Sequence, residues 1–208
     1  AFFREGMEHI DQPYFAHIPR WTTTRRIGQF FSDEMRHAIG DWNPYEAIMG
    51  TLPREMNQWQ PMARDQYIEA HTLMTGYLLC SQGDRVGMAN SIEGRFPFLD
   101  HRLIEFANQL PPQLKLHGLT EKYLLKKSVA GMLPESVRTR TKQPYRAPDS
   151  QCFFNDGKPV DYVDDLLSAS KIKAAGYFDA GATGKLFEKC RAGRAIGFAD
   201  NMAFVAIL

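Results

Sequence analysis

The sequence is short of long apolar runs, of cysteine and of β-type alternation, and each shortage removes a class of protein. No stretch reaches the roughly 18 apolar residues a membrane span requires. The opening AFFREGMEHI lacks the basic-then-apolar layout of a secretory leader, so a cytoplasmic protein is expected. Cys80, Cys152 and Cys190 are odd in number, far apart and without a C-x-x-C pair, which argues against a disulfide framework and against a zinc knuckle. The six histidines never flank a carboxylate at i, i+4 spacing, so no metal ligand is assigned. The apolar phrase FPFL is broken by Pro97, and no segment alternates long enough to build a sheet.

What is present is a chain of 208 residues, 44% hydrophobic and 24% charged, the composition of a globular domain with one core. Net charge is only +1, but it is unevenly spread. From Lys115 to Arg146 eight cations face Glu121 and Glu135, a local excess of +6. Such a block is either a solvated helix face or a receptor for an anion. Nucleic acid is disfavoured, because the excess is confined to one segment and no aromatic strand motif accompanies it. The chain starts at Ala1 in an apolar-aromatic phrase and stops in NMAFVAIL, in the stride of a helix, so it reads as a piece of a longer protein.

Helical periodicity dominates. Ile27, Phe30, Phe31, Met35 and Ile39 predict one helix closed by Gly40, and Asn43-Pro44 is a cap followed by a first-turn proline for a short helix through Met49. Pro61 opens a long helix over Met62 to about Cys80, with Ile68, Leu73, Met74, Tyr77 and Leu78 available for burial. Asp100 caps HRLIEFANQL, whose Leu103, Ile104, Phe106, Ala107 and Leu110 form a wide apolar face. Thr120 is expected to cap EKYLLKKSVAG, with Gly131 as its stop. Further helices are predicted at 162–167, 171–175, 184–191 and 199–208, and an irregular segment from about Thr141 to Pro159 reads as a site or a flap. DAGATGKLF imitates a phosphate loop, but the position five before Gly184 is Asp179 and Leu186 follows Lys185; Asp179 reads instead as a helix cap.

The stretch SIEGRFPFLDHRL carries the chemistry. Glu93 and Arg95, two apart on an extended backbone, project to one side next to Phe96, Phe98 and Leu99, which are expected to be buried. Charges in such company must be paired or must meet a ligand. Lys122 is expected in the first turn of its helix, where a cation is unfavourable unless an anion shares the spot. RTRTKQPYRAP, from Arg138 to Pro148, adds four cations, and the inferred ligand is phosphate-rich.

These phrases resemble one family. The segments from Leu78 to Pro111 and from Glu121 to Tyr145, with YFAHIPRW from Tyr14 to Trp21, are similar in order and spacing to the ATP-dependent synthetase domain of the glutamine-hydrolysing asparagine synthetases. The likeness spans about Tyr14 to Phe153 and weakens beyond. It implies a mainly α-helical fragment, residues 1–208 being the C-terminal helical portion of an α/β synthetase domain of the adenine-nucleotide α-hydrolase type (PP-loop ATP pyrophosphatase). It further implies an amide ligase in which aspartate's side-chain carboxylate attacks the α-phosphate of ATP, with Mg²⁺, and ammonia from glutamine displaces AMP. Lys122 matches the family's phosphate-contacting lysine and Glu93 its motif glutamate near the amide-forming centre. Arg95 and Lys142 match positions for loop anchoring and polyphosphate contact. The family's SGG-x-D-S loop, its G-x-D-E phrase and its glutaminase cysteine are not among these residues, and Ala1-Phe2-Phe3 reads as the text just after the second phrase. Asn90 stands where relatives often carry histidine, which leaves the substrate less certain. The fragment alone is expected to be inactive, with partners limited to small molecules and the missing portions, no nucleic acid or membrane, and a homodimer allowed. A ligase of the same fold acting on another acid or amine, including β-lactam-forming and peptide-tailoring enzymes, and a non-catalytic helical module are the alternatives.

Overall fold

A computed structural model describes residues 6–143, 149–195 and 197–208; Ala1-Phe2-Phe3, Tyr145 and Arg146 lie outside them. The described chain is mainly helical, and its contacts divide it into two units. One comprises residues 1–10, 15–51 and 144–208; the other comprises 11–14 and 52–143. In chain order the helices are α1 (Ile18–Arg25), α2 (Asp33–Ile39), α3 (Pro44–Met49), α4 (Pro61–Glu69), α5 (Arg85–Ala89), α6 (His101–Gln109), α7 (Pro112–Lys115), α8 (Tyr123–Ser128), α9 (Glu135–Arg138), α10 (Asp161–Leu166), α11 (Ala169–Ala175), α12 (Ala180–Arg191) and α13 (Phe198–Ile207). None is long and apolar enough to cross a membrane.

The first unit holds a well-formed core in which Phe30, Val163, Leu167, Ile172, Leu186, Cys190, Ala203 and Phe204 are buried together. The single helix expected around Phe31 is two: α1 runs into a 3₁₀ turn at Arg26–Phe30, the chain extends at Phe31, and Ser32 starts α2. The break is set by a distant segment. Phe31 forms a β-bridge with Phe178, Ser32 N donates to Tyr177 O and Asp179 N donates to Phe30 O at 2.7 Å. Ser32 Oγ then both donates to Gly176 O and accepts from Met35 N as the α2 cap. Gly40 ends α2 with φ 54°. Asn43 caps α3, its Oδ1 accepting from Tyr45 N at 3.0 Å, and Asp179 caps α12, its Oδ1 accepting from Ala182 N. The phosphate-loop imitation at Asp179–Phe187 is therefore helix and cap. His17 of the YFAHIPRW phrase stacks on Trp21 at 5.4 Å and Trp21 on Tyr45 at 5.6 Å, so that part of the phrase packs α1 against α3.

A buried amide secures the other edge of this core. Asn201 Oδ1 accepts from Ser150 N and Ser150 Oγ, while Asn201 Nδ2 donates to Ala195 O and Gly197 O. All of its bonding capacity toward those two segments is used, as burial requires. Within the segment expected to be irregular, Phe154–Asn155 pairs antiparallel with Lys158–Pro159 (β3 and β4) around Asp156-Gly157, both at positive φ. An Asp-Gly pair flanked by such residues is a hairpin signal that a purely irregular reading passes over.

The second unit is built differently. α4 continues into a π-helical stretch, Ala70–Asp84, and then α5, so the helix expected to stop near Cys80 extends to Ala89. Ile68, Met56 and Leu52 are its buried apolar residues, whereas Tyr77 and Leu78 are exposed. Asp100 caps α6 as expected, Oδ1 accepting from Arg102 N at 2.9 Å. The burial expected around it is not found: Phe96, Phe98, Leu103, Ile104 and Phe106 are all exposed, Phe98 by 68%. Periodicity marks which face of α6 is apolar, but burial depends on a covering element, and none among the described residues of this unit covers it.

Candidate functional site

The loop between α5 and α6 turns at Asn90-Ser91, Ser91 taking a left-handed φ of 57°. Beyond it the backbone is irregular up to the 3₁₀ turn at Pro97–Leu99. Glu93 and Arg95 fall on the same side of this stretch and meet: Arg95 Nη2 lies 2.9 Å from Glu93 Oε1. Both side chains are largely exposed, and the pair is thus a solvated clamp on the loop. Asp100, the cap of α6, also binds the Arg102 guanidinium through Oδ1 and Oδ2 at 3.1 and 2.8 Å. The Arg102 side-chain bonds, reinforced by the Arg102 backbone N–H, hold the Asp100 carboxyl below the usual carboxylate range.

Lys122 stands at a different point from the one expected. Thr120 does not cap the helix; it pairs with His117 in a two-stranded hairpin, Leu116–His117 (β1) with Thr120–Glu121 (β2), turned by Gly118 at φ 58°. This hairpin moves the helix start to Tyr123 and leaves Lys122 as the residue just outside it, in the left-handed conformation with φ 54° and ψ 36°. A lysine there carries strain on the order of 1 kcal/mol, because its Cβ crowds the following carbonyl. Its side chain is exposed.

Immediately beside Lys122 in sequence, Glu121 and Tyr123 line a cleft of about 670 Å³ within the second unit. Lys126, Lys127, Arg138 and Lys142 supply its cations, with Leu116 and Leu119 among its apolar walls. Arg138 is anchored by Glu135, donating from Nε to Oε2 at 2.8 Å, and this contact raises the guanidinium pKa while lowering that of Glu135. Lys127 lies over the Tyr123 ring, 5.6 Å from its centroid, and His117 stacks on that ring at 4.7 Å. No carboxylate among the described residues pairs with Lys126, Lys127 or Lys142. The structure thus brings Lys142 together with the α8 lysines, and it brings Glu93 together with Arg95. Glu93, Arg95 and Lys122 are not among the residues lining the cleft. Lys126, Lys127 and Arg138 were visible in the sequence as members of the basic segment; the hairpin that gathers them was not.

Among the described residues no group of three His, Cys, Asp or Glu side chains could hold a metal ion, so no Mg²⁺ ligand is assigned to them. The donors that do fit part of ATP are cationic: Lys142 and its neighbours can face phosphate oxygens but offer no evident pocket for metal coordination.

A mainly helical protein with a cation-lined cleft beside a strained lysine is the class these features define. The chain belongs to the asparagine synthase family, whose profile matches residues 3–207. It is 31% identical to the amidase chyE of Penicillium rubens over 64% of this chain and 20% of that one. It is 36% identical to asparagine synthetase [glutamine-hydrolyzing] 1 of Bacillus subtilis over 67% of this chain and 22% of that one. The amidase chry2 of Gibberella zeae is 29% identical over 62% of this chain and 20% of its own length. The matched region therefore spans about a fifth of the length of these relatives. No solved structure gives a significant match.

Proposed function

We propose that this chain is the C-terminal helical part of an ATP-dependent amide ligase of the adenine-nucleotide α-hydrolase type that makes asparagine. Membership of the asparagine synthase family over nearly the whole chain carries the reading. In it, an oxygen of the aspartate side-chain carboxylate attacks the α-phosphorus of ATP, the bond to the β-phosphate breaks, and pyrophosphate leaves with the electron pair. Ammonia then attacks the acyl carbon, the acyl–oxygen bond to AMP breaks, and the nitrogen loses a proton as the amide forms. Mg²⁺ bound to the nucleotide would offset phosphate charge in the first step.

This chain's own residues have defined tasks in that scheme. Lys122 presents its ammonium to the phosphoryl oxygens on which charge develops, a role of the kind that supplies most catalysis in phosphoryl and acyl transfer. Its left-handed backbone supports this assignment, since strain is tolerated where position matters more than stability. Glu93 orients the amine and accepts its proton. Arg95 holds Glu93 in place through the 2.9 Å contact. Lys142 meets the polyphosphate from the cleft. The glutaminase and pyrophosphate-loop portions would come from the rest of a longer protein, in the cytoplasm, where three free cysteines are at home; the 208-residue chain by itself makes no asparagine.

A second reading is favoured by the two amidase relatives: the same adenylation serving another acid or amine. Both readings are tested by incubating a full-length protein carrying this segment with ATP, Mg²⁺ and a panel of carboxylic acids, and following AMP release. Aspartate-dependent AMP and asparagine formation supports the first reading. Release with another acid supports the second, and no AMP with any acid overturns both.

A further inference from the structure

The stretch Ala70–Asp84 is π-helical over 15 residues, whereas π geometry ordinarily occupies a single turn inside an α-helix. Its side-chain hydroxyls record the register. Thr72, near the junction with α4, donates from Oγ1 to Ile68 O, four residues back, at 2.7 Å. Thr75 Oγ1 donates to Ala70 O and Ser81 Oγ to Gly76 O, each five back. Arg85 N closes the stretch on Cys80 O, again five back. No residue of the stretch is buried, so no packed core selects this register. The sequence suits the α register as well: Tyr67, Met74 and Leu78 fall within about 40° of one another on a helix of 3.6 residues per turn, and the wider π turn draws Tyr67 away from the other two. The two ends of the stretch are unequal. Before it, Ile68 is fully buried, Tyr67 packs edge-on against Trp59 at 5.3 Å, and Lys115 Nζ donates to Gln66 Oε1 at 3.2 Å, which holds α4. Beyond it, α5 has no buried residue and is bonded to the loop that follows, Asn90 Nδ2 donating to Val86 O at 2.9 Å and Ile92 N to Gly87 O at 2.8 Å.

We propose that Ala70–Asp84 is a two-register device: its conversion from π to α turns α5 about the fixed end at α4 and re-aims the loop that carries Glu93 and Arg95. Bonds to the carbonyl five back and bonds to the carbonyl four back exchange turn by turn without unfolding the helix, a register shift on the microsecond-to-millisecond scale. Gly83 tells the two registers apart. A Cβ there would stand 3.0 Å from Leu78 O, the carbonyl five back, whereas a Cβ at Gly76 meets nothing within 4 Å. Alanine at position 83 is therefore crowded in the π turn and ordinary in an α turn. The use made of the motion rests on the role given to Glu93 above; the register change itself does not.

The test is NMR of the deuterated 208-residue chain, in which couplings across hydrogen bonds assign each amide of residues 75–85 to the carbonyl five or four residues before it. The unmodified chain should show partners five back. Gly83→Ala should favour partners four back by about fivefold, the worth of one glycine-to-alanine change inside a helix, and should move the amide signals of residues 91–95. Gly76→Ala suits both registers and should do neither. Thr75→Ala combined with Ser81→Ala removes both hydroxyl bonds five back and should shift the register the same way, while Thr72→Ala should not, which covers the case of a poorly folded Gly83→Ala chain. Partners four back throughout the unmodified chain, the same register in Gly83→Ala as in Gly76→Ala, or a register change that leaves the signals of 91–95 in place would overturn the proposal. Each result is read on the backbone alone, whether or not Glu93 serves the reaction.

Discussion

Arg95 Nη2 rests 2.9 Å from Glu93 Oε1 across a single glycine, with both side chains largely in water. An exposed pair of this kind contributes little to folding. Glu93→Gln and Arg95→Gln are therefore expected to shift the melting temperature by no more than about 2 °C each, measured by calorimetry. A larger loss would make the pair a structural tie rather than a holder of an active carboxylate.

Lys122 supplies the opposite case, a residue whose backbone is costly. Asparagine tolerates the left-handed region better than lysine does, and a β-branched residue tolerates it least. Lys122→Asn should leave stability unchanged or raise it by up to about 1 kcal/mol, whereas Lys122→Val should lower it. Denaturant titration of the two variants reads the difference. Equal stabilities would show that φ 54° at this position carries no strain.

The contrast between covered and uncovered aromatics gives a third expectation. Phe204 is 1% exposed and Phe106 is 57% exposed. Phe204→Ala should cost about 3–5 kcal/mol, and Phe106→Ser should stay within about 0.5 kcal/mol while raising solubility. Asn201→Ala belongs with the first of these, because it strands the Ser150 hydroxyl and amide and the carbonyls of Ala195 and Gly197.

The helix caps and the apolar face of α6 show what the sequence could and could not convey. Caps at Asn43, Asp100 and Asp179 were readable because a short polar side chain closes on an amide two or three residues away. Ser32 was passed over because the break it sits on is imposed by Phe178 and Tyr177, far along the chain. Thr120 misled for a related reason: its pairing with His117 outweighs its capping tendency and leaves the position just before the helix, which starts at Tyr123, to Lys122. The apolar face of α6 was correctly identified as apolar, yet exposure of Leu103, Ile104 and Phe106 follows from what stands opposite, which no periodicity encodes. In the site, the residue types were legible from the motif phrases, while the convergence of Lys126, Lys127 and Lys142 depended on a hairpin two residues per strand long.

The three thiols should differ in reactivity. Cys152 is exposed, Cys80 intermediate and Cys190 buried, and burial pushes the Cys190 thiol pKa up despite the opposing influence of the Ser150 side chain. A thiol reagent at neutral pH should label Cys152 first and Cys190 only on unfolding. The linked effect has a definite sign. A raised folded-state pKa stabilises the fold below the ordinary thiol range, and that contribution is lost as the pH rises through it. Cys190→Ala should flatten the alkaline arm of the stability profile. At the acid end, Asp100 and Glu135, both depressed by their arginine partners, favour the fold above the ordinary carboxylate range and stop doing so as the pH falls through their lowered values.

The most direct measurement separates the two chemical steps in a full-length protein carrying this segment: aspartate-dependent exchange of labelled pyrophosphate into ATP for adenylation, and asparagine release for amination. Lys122→Gln should abolish both, and Glu93→Gln should keep the exchange while losing asparagine by about 10²-fold or more. Undiminished pyrophosphate exchange in the Lys122→Gln protein would contradict the account.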